Sequence, residues 1–246
     1  LNFMINHSVE KGFEFLLLPL LANTASLTAS GNLPKFADEI YSCKDNDLHA
    51  IPTSEVSLTN LYQNEILPIG ILPLRMISYS PCFRRESGSH GKKVRGLMRL
   101  HQFNKVESYS ICQPEDSNSE LEALIGNAEN ILERIGLHFR RANLPSCDLA
   151  HQSSQTYDLE VWLPFAEMYS EVSSASNCLD YQARRGNIKF KSELGVNRFV
   201  HTLNCSALAT PRLFIALVES NQTPEGDIII PEVLRKYTGF SRISQE

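Results

Sequence analysis

The spacing of apolar residues predicts one long amphipathic helix in the middle of the chain. Between residues 116 and 136 apolar side chains recur every three or four positions, which places them on one face of a helix. Ser117 and Glu120 have the pattern of a capping box, and Gly136 is a suitable residue for ending the helix. We expect the apolar face of this helix to pack on a sheet.

Alternation of apolar and polar residues predicts two pairs of antiparallel strands. Residues 74–83 and 98–111 form the first pair, and residues 156–164 and 168–175 form the second. Residues 199–209 read as a further strand that leads into an apolar helix. Strands joined largely by hairpins, with helices inserted between them, favour an α+β fold with an antiparallel β-sheet flanked by helices.

The N-terminal quarter gives weaker signals. Residues 1–11 read as the end of a helix that stops at Gly12, and a short helix carries Glu55 in its first turn. Residues 13–21 form a continuous apolar run that is consistent with a buried strand, although periodicity alone leaves a helix open. This run is interrupted by Pro19 and is too short to span a bilayer, so we expect no membrane partner.

Composition narrows the classes of protein that fit. The chain has 246 residues and a formal net charge of -5, so an RNA partner would have to meet a local basic patch. Its six cysteines are scattered without a Cys-x-x-Cys pair, which indicates reduced thiols and a cytoplasmic protein. The first residue is Leu rather than Met, and we therefore expect a fragment of a longer protein.

The segment FRRESGSHGKKVRGLMRLHQF, residues 83–103, carries groups that suit a nucleotide. Arg84 can hold a phosphate through its planar guanidinium, Glu86 can bind an adenine amine, and Phe103 can stack on a base. Taken alone, an Arg beside a Glu is more often a surface ion pair. The loop of residues 87–96 is rich in Gly and Lys, and could close over a polyphosphate or contact an RNA end.

A second anion site and a cation site are predicted further along the chain. Thr210 is a suitable N-cap and Pro211 a suitable first helical residue, which would place Arg212 at the positive end of a helix. Glu171 and Ser174 offer hard oxygen ligands for a Mg²⁺ ion shared with substrate phosphates. Regular pleating puts these two side chains on opposite faces, so joint binding requires a bulge in the strand.

Scattered polar residues could bind a small molecule that has an ammonium and an alcohol group. They combine hydroxyl, amide and carboxylate groups but are far apart in sequence, so their convergence is not established by spacing. They are Thr53, Glu55, Glu107, Asn204 and Ser206. The sequence has no Walker P-loop, dinucleotide fingerprint, nucleophile elbow or zinc-protease motif.

Taken in order, these segments resemble the bacterial-type seryl-tRNA synthetases, a family of class II aminoacyl-tRNA synthetases. Residues 51–55 resemble the serine-binding turn, residues 83–107 resemble motif 2, and residues 201–206 resemble the start of motif 3. The resemblance implies a class II catalytic domain over residues 1–246. It also implies that the family's N-terminal coiled-coil arm and the start of the catalytic domain are absent from this sequence.

The resemblance further implies a role for each matched residue. Arg84 would hold the α-phosphate and Arg212 the γ-phosphate, so these two residues with Glu171 would be catalytic. The ATP-binding residues would be Arg84, Arg85, Glu86, Phe103, Glu171, Val172, Ser173, Ser174 and Arg212. The residues around L-serine would be Thr53, Ser54, Glu55, Glu107, Asn204 and Ser206. Glu171 and Ser174 would bind Mg²⁺.

The activity implied is the ATP-dependent activation of L-serine to seryl-adenylate and its transfer to tRNA(Ser). The implied partners are L-serine, ATP, tRNA(Ser) and a second copy of the chain in a homodimer. Two alternatives stay open at this point. One is an inactive or regulatory paralogue that binds nucleotide, and the other is a related ligase that loads an amino acid onto a carrier protein.

Overall fold

A computed structural model describes residues 1–87 and 96–244, and its largest unit within those residues is a seven-stranded β-sheet. The helices are α1 (Asn2–Glu10), α2 (Thr24–Ala29), α3 (Glu55–Asn60), α4 (Ser117–Ile135), α5 (Tyr181–Gly186), α6 (Thr210–Ser220) and α7 (Glu232–Thr238). The strands are β1 (Glu14–Leu16), β2 (Leu21–Ala22), β3 (His49–Ala50), β4 (Ile66–Pro68), β5 (Leu74–Phe83), β6 (Gln102–Cys112), β7 (Phe139–Asn143), β8 (Gln155–Leu163), β9 (Met168–Asn177), β10 (Lys189–Lys191), β11 (Asn197–Phe199), β12 (His201–Ala209), β13 (Ile228–Ile229) and β14 (Arg242–Ile243).

The strand order of the large sheet is β1-β5-β6-β12-β9-β8-β7. β1 runs parallel to β5, and every other neighbouring pair in this sheet is antiparallel. The predicted α+β class with an antiparallel sheet is therefore confirmed. Both predicted strand pairs are also confirmed, as β5 with β6 and as β8 with β9. No helix of the described residues is long and apolar enough to cross a membrane.

Helix α4 covers one face of this sheet, as its apolar spacing predicts. The buried apolar side chains of the helix are Leu121, Leu124, Ile125, Ala128, Ile131, Leu132 and Ile135. They pack in one cluster with residues of β6, β8, β9 and β12. Gly136 ends the helix with a φ of 75°, in the left-handed region that glycine adopts at low cost.

The predicted capping box at the start of α4 is wrong. The Ser117 hydroxyl donates to the carbonyl oxygen of Pro114 instead of accepting from the helix. The Glu120 carboxylate is buried and accepts from Arg75 Nε at 2.9 Å and from Ser110 Oγ at 2.8 Å. A guanidinium on the neighbouring strand gives a buried carboxylate a stronger partner than a backbone amide at the helix end does.

The apolar run of residues 13–21 is not one strand, and Phe13 is its only buried residue. Only Glu14–Leu16 and the start of β2 are extended in the sheets, and Leu17 is 73% exposed. β1 lies at the edge of the large sheet, and Pro19 has no N–H with which to continue a ladder. The prediction of a buried strand is therefore wrong.

The predicted start of α6 is wrong by one residue. Ala209 occupies the N-cap position, Thr210 and Pro211 are the first helical residues, and Arg212 lies in the first turn. The Thr210 hydroxyl donates to the carbonyl oxygen of Asn104 on β6, at 2.8 Å, and so does not cap the helix. The strand predicted over residues 199–209 divides into β11 and β12 at Val200.

Candidate active site

A pocket of about 400 Å³ lies beside the end of β5, the start of β6, the middle of β9 and the start of α6. Many of the residues that the sequence assigns to nucleotide binding line it. They are Arg84, Glu86, Phe103, Glu171, Val172 and Arg212, together with Ser206 from the set assigned to the small molecule. The sheet thus brings together side chains that lie more than 120 residues apart in the sequence.

One wall of the pocket presents a guanidinium and an aromatic ring. The guanidinium carbon of Arg84 lies 5.2 Å from the centroid of the Phe103 ring, and Arg84 Nε donates to the carbonyl oxygen of Pro52 at 3.3 Å. Both contacts hold the guanidinium in place without neutralising its charge. Glu86 is paired with Arg99, whose Nε lies 2.6 Å from the carboxylate.

Arg212 and Glu171 form another part of the pocket lining. Arg212 donates to the backbone carbonyl oxygen of Glu171 at 2.9 Å and to its carboxylate at 3.2 Å. Both side chains are partly exposed, so this ion pair contributes little to stability. Its arrangement leaves a cation and a carboxylate next to each other at the rim, which suits a polyphosphate with a bound divalent ion.

β9 bulges between Glu171 and Ser174, as joint binding of one ion by these two side chains requires. Leu159 pairs with Ser173 and Glu160 pairs with Glu171, so Val172 is the extra residue. The bulge places Glu171 and Ser174 on the same side of the strand, where both interact with Asp158 on β8. Burial raises the pKa of Asp158 to about 6, and the charge of Glu171 adds to the increase.

This oxygen-rich corner suits Mg²⁺ held jointly by protein and phosphate. Glu171 and Ser174 supply the hard oxygen atoms that the ion prefers. Among residues 1–87 and 96–244, no three His, Cys, Asp or Glu side chains converge as a metal site. A cation here would therefore depend on oxygen atoms of a bound ligand for the rest of its coordination.

A buried polar cluster lies behind the pocket. Thr53 Oγ1 is 3.4 Å from the Glu107 carboxylate, and the Glu55 carboxylate accepts from Asn204 Nδ2 at 2.9 Å. The predicted residues Thr53, Glu55, Glu107 and Asn204 therefore converge, and all are at most 9% exposed. Ser206 faces Glu107 across the β6–β12 ladder.

Lys105 joins the buried cluster to the pocket. Its ammonium group donates to Thr53 Oγ1 at 2.8 Å and forms an ion pair with the Glu107 carboxylate, while its side chain lines the pocket. Sequence reasoning missed this residue. Lys105 and Glu107 are two positions apart on one strand and so share a face, which is the signal that could have found it.

Burial and a neighbouring carboxylate disfavour the charged form of Glu55. Burial raises the pKa of Glu55 to about 7 from its ordinary value of 4.5, and the charge of Glu107 adds to the increase. Lys105, a hydrogen bond from Gln182 and the charge of Arg84 act in the opposite direction. A carboxylate with these properties can change its protonation state near neutral pH.

Three of the predicted site residues belong neither to the pocket with its Glu171–Ser174 corner nor to the buried cluster. Arg85 is exposed, and its backbone N–H donates to the carbonyl oxygen of Glu39. The Ser173 hydroxyl donates to the carbonyl oxygen of Ser206 inside the sheet. Ser54 is buried at the start of α3, and its hydroxyl has no hydrogen-bond partner among the described residues. The predicted Gly- and Lys-rich loop falls mainly on residues 88–95, which lie outside the described residues.

Comparison with known proteins agrees with this arrangement. The family described as "tRNA synthetase class II core domain (G, H, P, S and T)" matches residues 39–221, and the antiparallel sheet with its arginine-lined pocket defines the chain as a class II aminoacyl-tRNA synthetase core. A serine–tRNA ligase of Trichormus variabilis is 52% identical over 241 residues, which are 97% of this chain and 56% of that protein. The chain belongs to the seryl-tRNA synthetase family.

Solved structures show the same relationship. A seryl-tRNA synthetase from Pyrococcus horikoshii complexed with ATP superimposes with a TM-score of 0.96 at 40% identity, over 100% of this chain and 55% of that one. A cytoplasmic serine–tRNA ligase from Naegleria fowleri in complex with AMP gives a TM-score of 0.92 at 32% identity, over 100% of this chain and 58% of that one. The chain thus spans a little over half the length of the relatives it matches.

Proposed function

We propose that this chain catalyses the ATP-dependent activation of L-serine to seryl-adenylate and the transfer of the seryl group to tRNA(Ser). The observation that carries the proposal is the junction between two sites. A pocket lined by three arginines, Arg84, Arg99 and Arg212, adjoins a buried cluster of hydroxyl, amide and carboxylate groups, and Lys105 and Ser206 belong to both regions. An enzyme that joins a nucleotide to a small amino acid needs such a pair of adjoining sites.

ATP would occupy the open pocket. Arg84 would hold the α-phosphate, Phe103 would stack on the adenine, and Glu86 would accept from the adenine amine. Arg212 would meet the γ-phosphate, assisted by the free N–H groups of the first turn of α6. The P. horikoshii enzyme, 40% identical to this chain, was solved as a complex with ATP, which supports ATP as the nucleotide.

L-Serine would bind in the buried cluster. Thr53 and Glu107 would accept hydrogen bonds from the ammonium group, in competition with Lys105, which makes the same contacts in this structure. Glu55 and Asn204 would face the hydroxyl end of the substrate. A pocket that hydrogen-bonds the serine hydroxyl rejects alanine strongly, because alanine would leave buried polar groups unpaired.

Positioning and charge neutralisation would carry the chemistry. The serine carboxylate attacks the α-phosphorus in line, the bond to the bridging oxygen breaks, and pyrophosphate leaves. Arg84 stabilises the charge that develops on the α-phosphate oxygens. Glu171 and Ser174 would hold Mg²⁺, which neutralises phosphate charge when bound. In the second step a terminal ribose hydroxyl of tRNA(Ser) attacks the adenylate carbonyl carbon, and AMP leaves.

We also propose that the protein acts as a homodimer in the cytoplasm. Leu17, which follows β1, and Leu21, the first residue of β2, are 73% and 49% exposed. Exposed leucines along a sheet edge are a surface that a second copy could cover. Light scattering after size exclusion would show a mass near twice 27.7 kDa, and a monomer at micromolar concentration would contradict the dimer.

Amino-acid-dependent pyrophosphate–ATP exchange tests the activity. We expect exchange with serine and none with threonine, alanine or glycine, and we expect Arg84→Ala to lower it by about 100-fold or more. Arg184→Ala, which removes a surface ion pair with Asp180, is the matched control. Exchange with glycine or alanine in place of serine would refute the proposed substrate and favour a carrier-loading ligase.

A further inference from the structure

Gln182 is completely buried behind the proposed serine site, and its side chain uses its full hydrogen-bonding capacity. Its Nε2 donates to the carbonyl oxygen of Ser30 at 3.0 Å and to Glu55 Oε1 at 2.6 Å. Its Oε1 accepts from the Tyr109 hydroxyl at 2.9 Å and from the Thr202 hydroxyl at 2.7 Å. Two donors and two acceptor positions are all that a glutamine amide has.

These four contacts fix which way the amide faces. A flipped amide would bring its oxygen against the Ser30 carbonyl and the Glu55 carboxylate, which can only accept, and both hydrogen bonds that Nε2 donates would be lost. Because each lost bond would leave a buried group unpaired, the flipped orientation is strongly disfavoured. The amide N–H of Gln182 therefore always points at Glu55.

The hydrogen bond from Gln182 determines which oxygen of Glu55 can contact a ligand. Glu55 Oε1 accepts from both Gln182 Nε2 and Asn204 Nδ2, whereas Oε2 has no hydrogen-bond partner among residues 1–87 and 96–244. We infer that Gln182 is a positioning residue for serine selection, since it anchors one oxygen of Glu55 and leaves the other to accept from the substrate hydroxyl. This inference deepens the proposed function and rests on it.

Gln182 also favours the charged form of Glu55. The charged and titratable groups that act on this carboxylate are Lys105 and Glu107, together with Tyr109, on β6, Arg84 after β5, and Cys178 after β9. Within this set Glu107 disfavours ionisation, and Lys105 and Arg84 favour it. The neutral N–H of Gln182 donates to the carboxylate and lowers the pKa of Glu55, opposing the effect of burial.

Titration of Glu55 in the ligand-free chain tests the positioning role without relying on catalysis. Glutamate labelled with ¹³C at Cδ reports the carboxyl pKa by NMR, and Glu55→Gln assigns the resonance. In Gln182→Met, which removes the four hydrogen bonds at similar volume, we expect the pKa of Glu55 to rise by about 1 to 2. Gln155→Met, at a half-buried glutamine that donates to the Tyr157 hydroxyl, is the control and should leave the pKa of Glu55 unchanged.

Kinetics test the link to serine. In Gln182→Met the KM for serine should rise about 10- to 100-fold, with the KM for ATP unchanged. Raising the pH from about 7 to about 8.5 should partly restore the serine KM, because more of the Glu55 carboxyl is then ionised. A variant that is only structurally damaged would not recover with pH.

The outcomes separate this inference from the proposed function. An unchanged pKa of Glu55, or an unchanged serine KM with a raised pKa, would overturn the positioning role. The pKa of Glu55 could rise in Gln182→Met while the wild type shows no serine-dependent exchange. That result would support the positioning of Glu55 by Gln182 and refute the proposed activity. If Gln182→Met does not fold, Tyr109→Phe removes one donor to the amide oxygen and should raise the pKa in the same direction by less.

Discussion

Replacing Glu55 with Gln should make the protein more stable while it destroys serine activation. Glu55 is 8% exposed and lies near the buried carboxylate of Glu107, so its negative charge is costly in the folded state. A glutamine keeps the shape of the side chain. Its carbonyl oxygen can still accept from Gln182 and Asn204, and the charge is gone.

The magnitude follows from the pKa. The difference between about 7 in the folded chain and the ordinary 4.5 corresponds to about 3 kcal/mol, at about 1.4 kcal/mol for each pKa unit. Since the folded pKa is raised, the folded state binds the proton more tightly, and the stability of the wild type falls as pH rises from about 4.5 to about 7. Glu55→Gln should therefore be more stable than the wild type by about 1 to 3 kcal/mol at pH 8, and by much less at pH 5.

Urea unfolding followed by circular dichroism at the two pH values measures this difference. Glu193→Gln, at an exposed turn residue, is the matched control and should change stability by less than about 0.5 kcal/mol at either pH. Serine-dependent exchange by Glu55→Gln should fall by about 100-fold or more. A variant no more stable than the wild type at pH 8, or a stability difference that does not change with pH, would refute the argument that burial of this charge is costly.

Two further substitutions test the remaining electrostatics of the site. Lys105→Met should lower the free energy of unfolding by about 3 to 5 kcal/mol near pH 8, because it leaves the buried Glu107 carboxylate without its cation. Urea unfolding measures the loss. A variant as stable as the wild type would contradict a strong dependence of stability on this ion pair. Arg212→Ala should raise the KM for ATP by about tenfold or more without changing the KM for serine. Exchange kinetics at varied ATP and at varied serine measure the two constants. A change in the serine KM alone would show that Arg212 does not contact the nucleotide.

Local patterns were sufficient for the main elements of the fold. The apolar face of α4 and the alternation in β5, β6, β8 and β9 each reflect burial on one side, which the sequence records directly. The capping box failed because Glu120 met Arg75 from a strand more than forty positions away. The run of residues 13–21 failed because hydrophobicity does not distinguish a buried strand from a sheet edge with exposed leucines.

The site could be predicted only in part for a similar reason. Arg84 directly follows β5 and Phe103 lies in β6, so the pairing of these two strands brings the side chains together. The surroundings of Glu55 depend on Gln182 and Asn204, which come from separate elements more than 120 residues away. No periodicity links these positions, and only the packing of α5 against α3 and β12 brings the three side chains together.

The bulge at Val172 has a consequence for anyone who alters this protein. Inward and outward positions follow one parity in β9 before Val172 and the opposite parity after it. A library built by counting every second residue from Tyr169 would therefore place its polar substitutions in the protein interior beyond the bulge, at Ser173 and Ala175. Inward and outward positions therefore have to be assigned separately in the two parts of β9, one that ends at Glu171 and one that begins at Ser173.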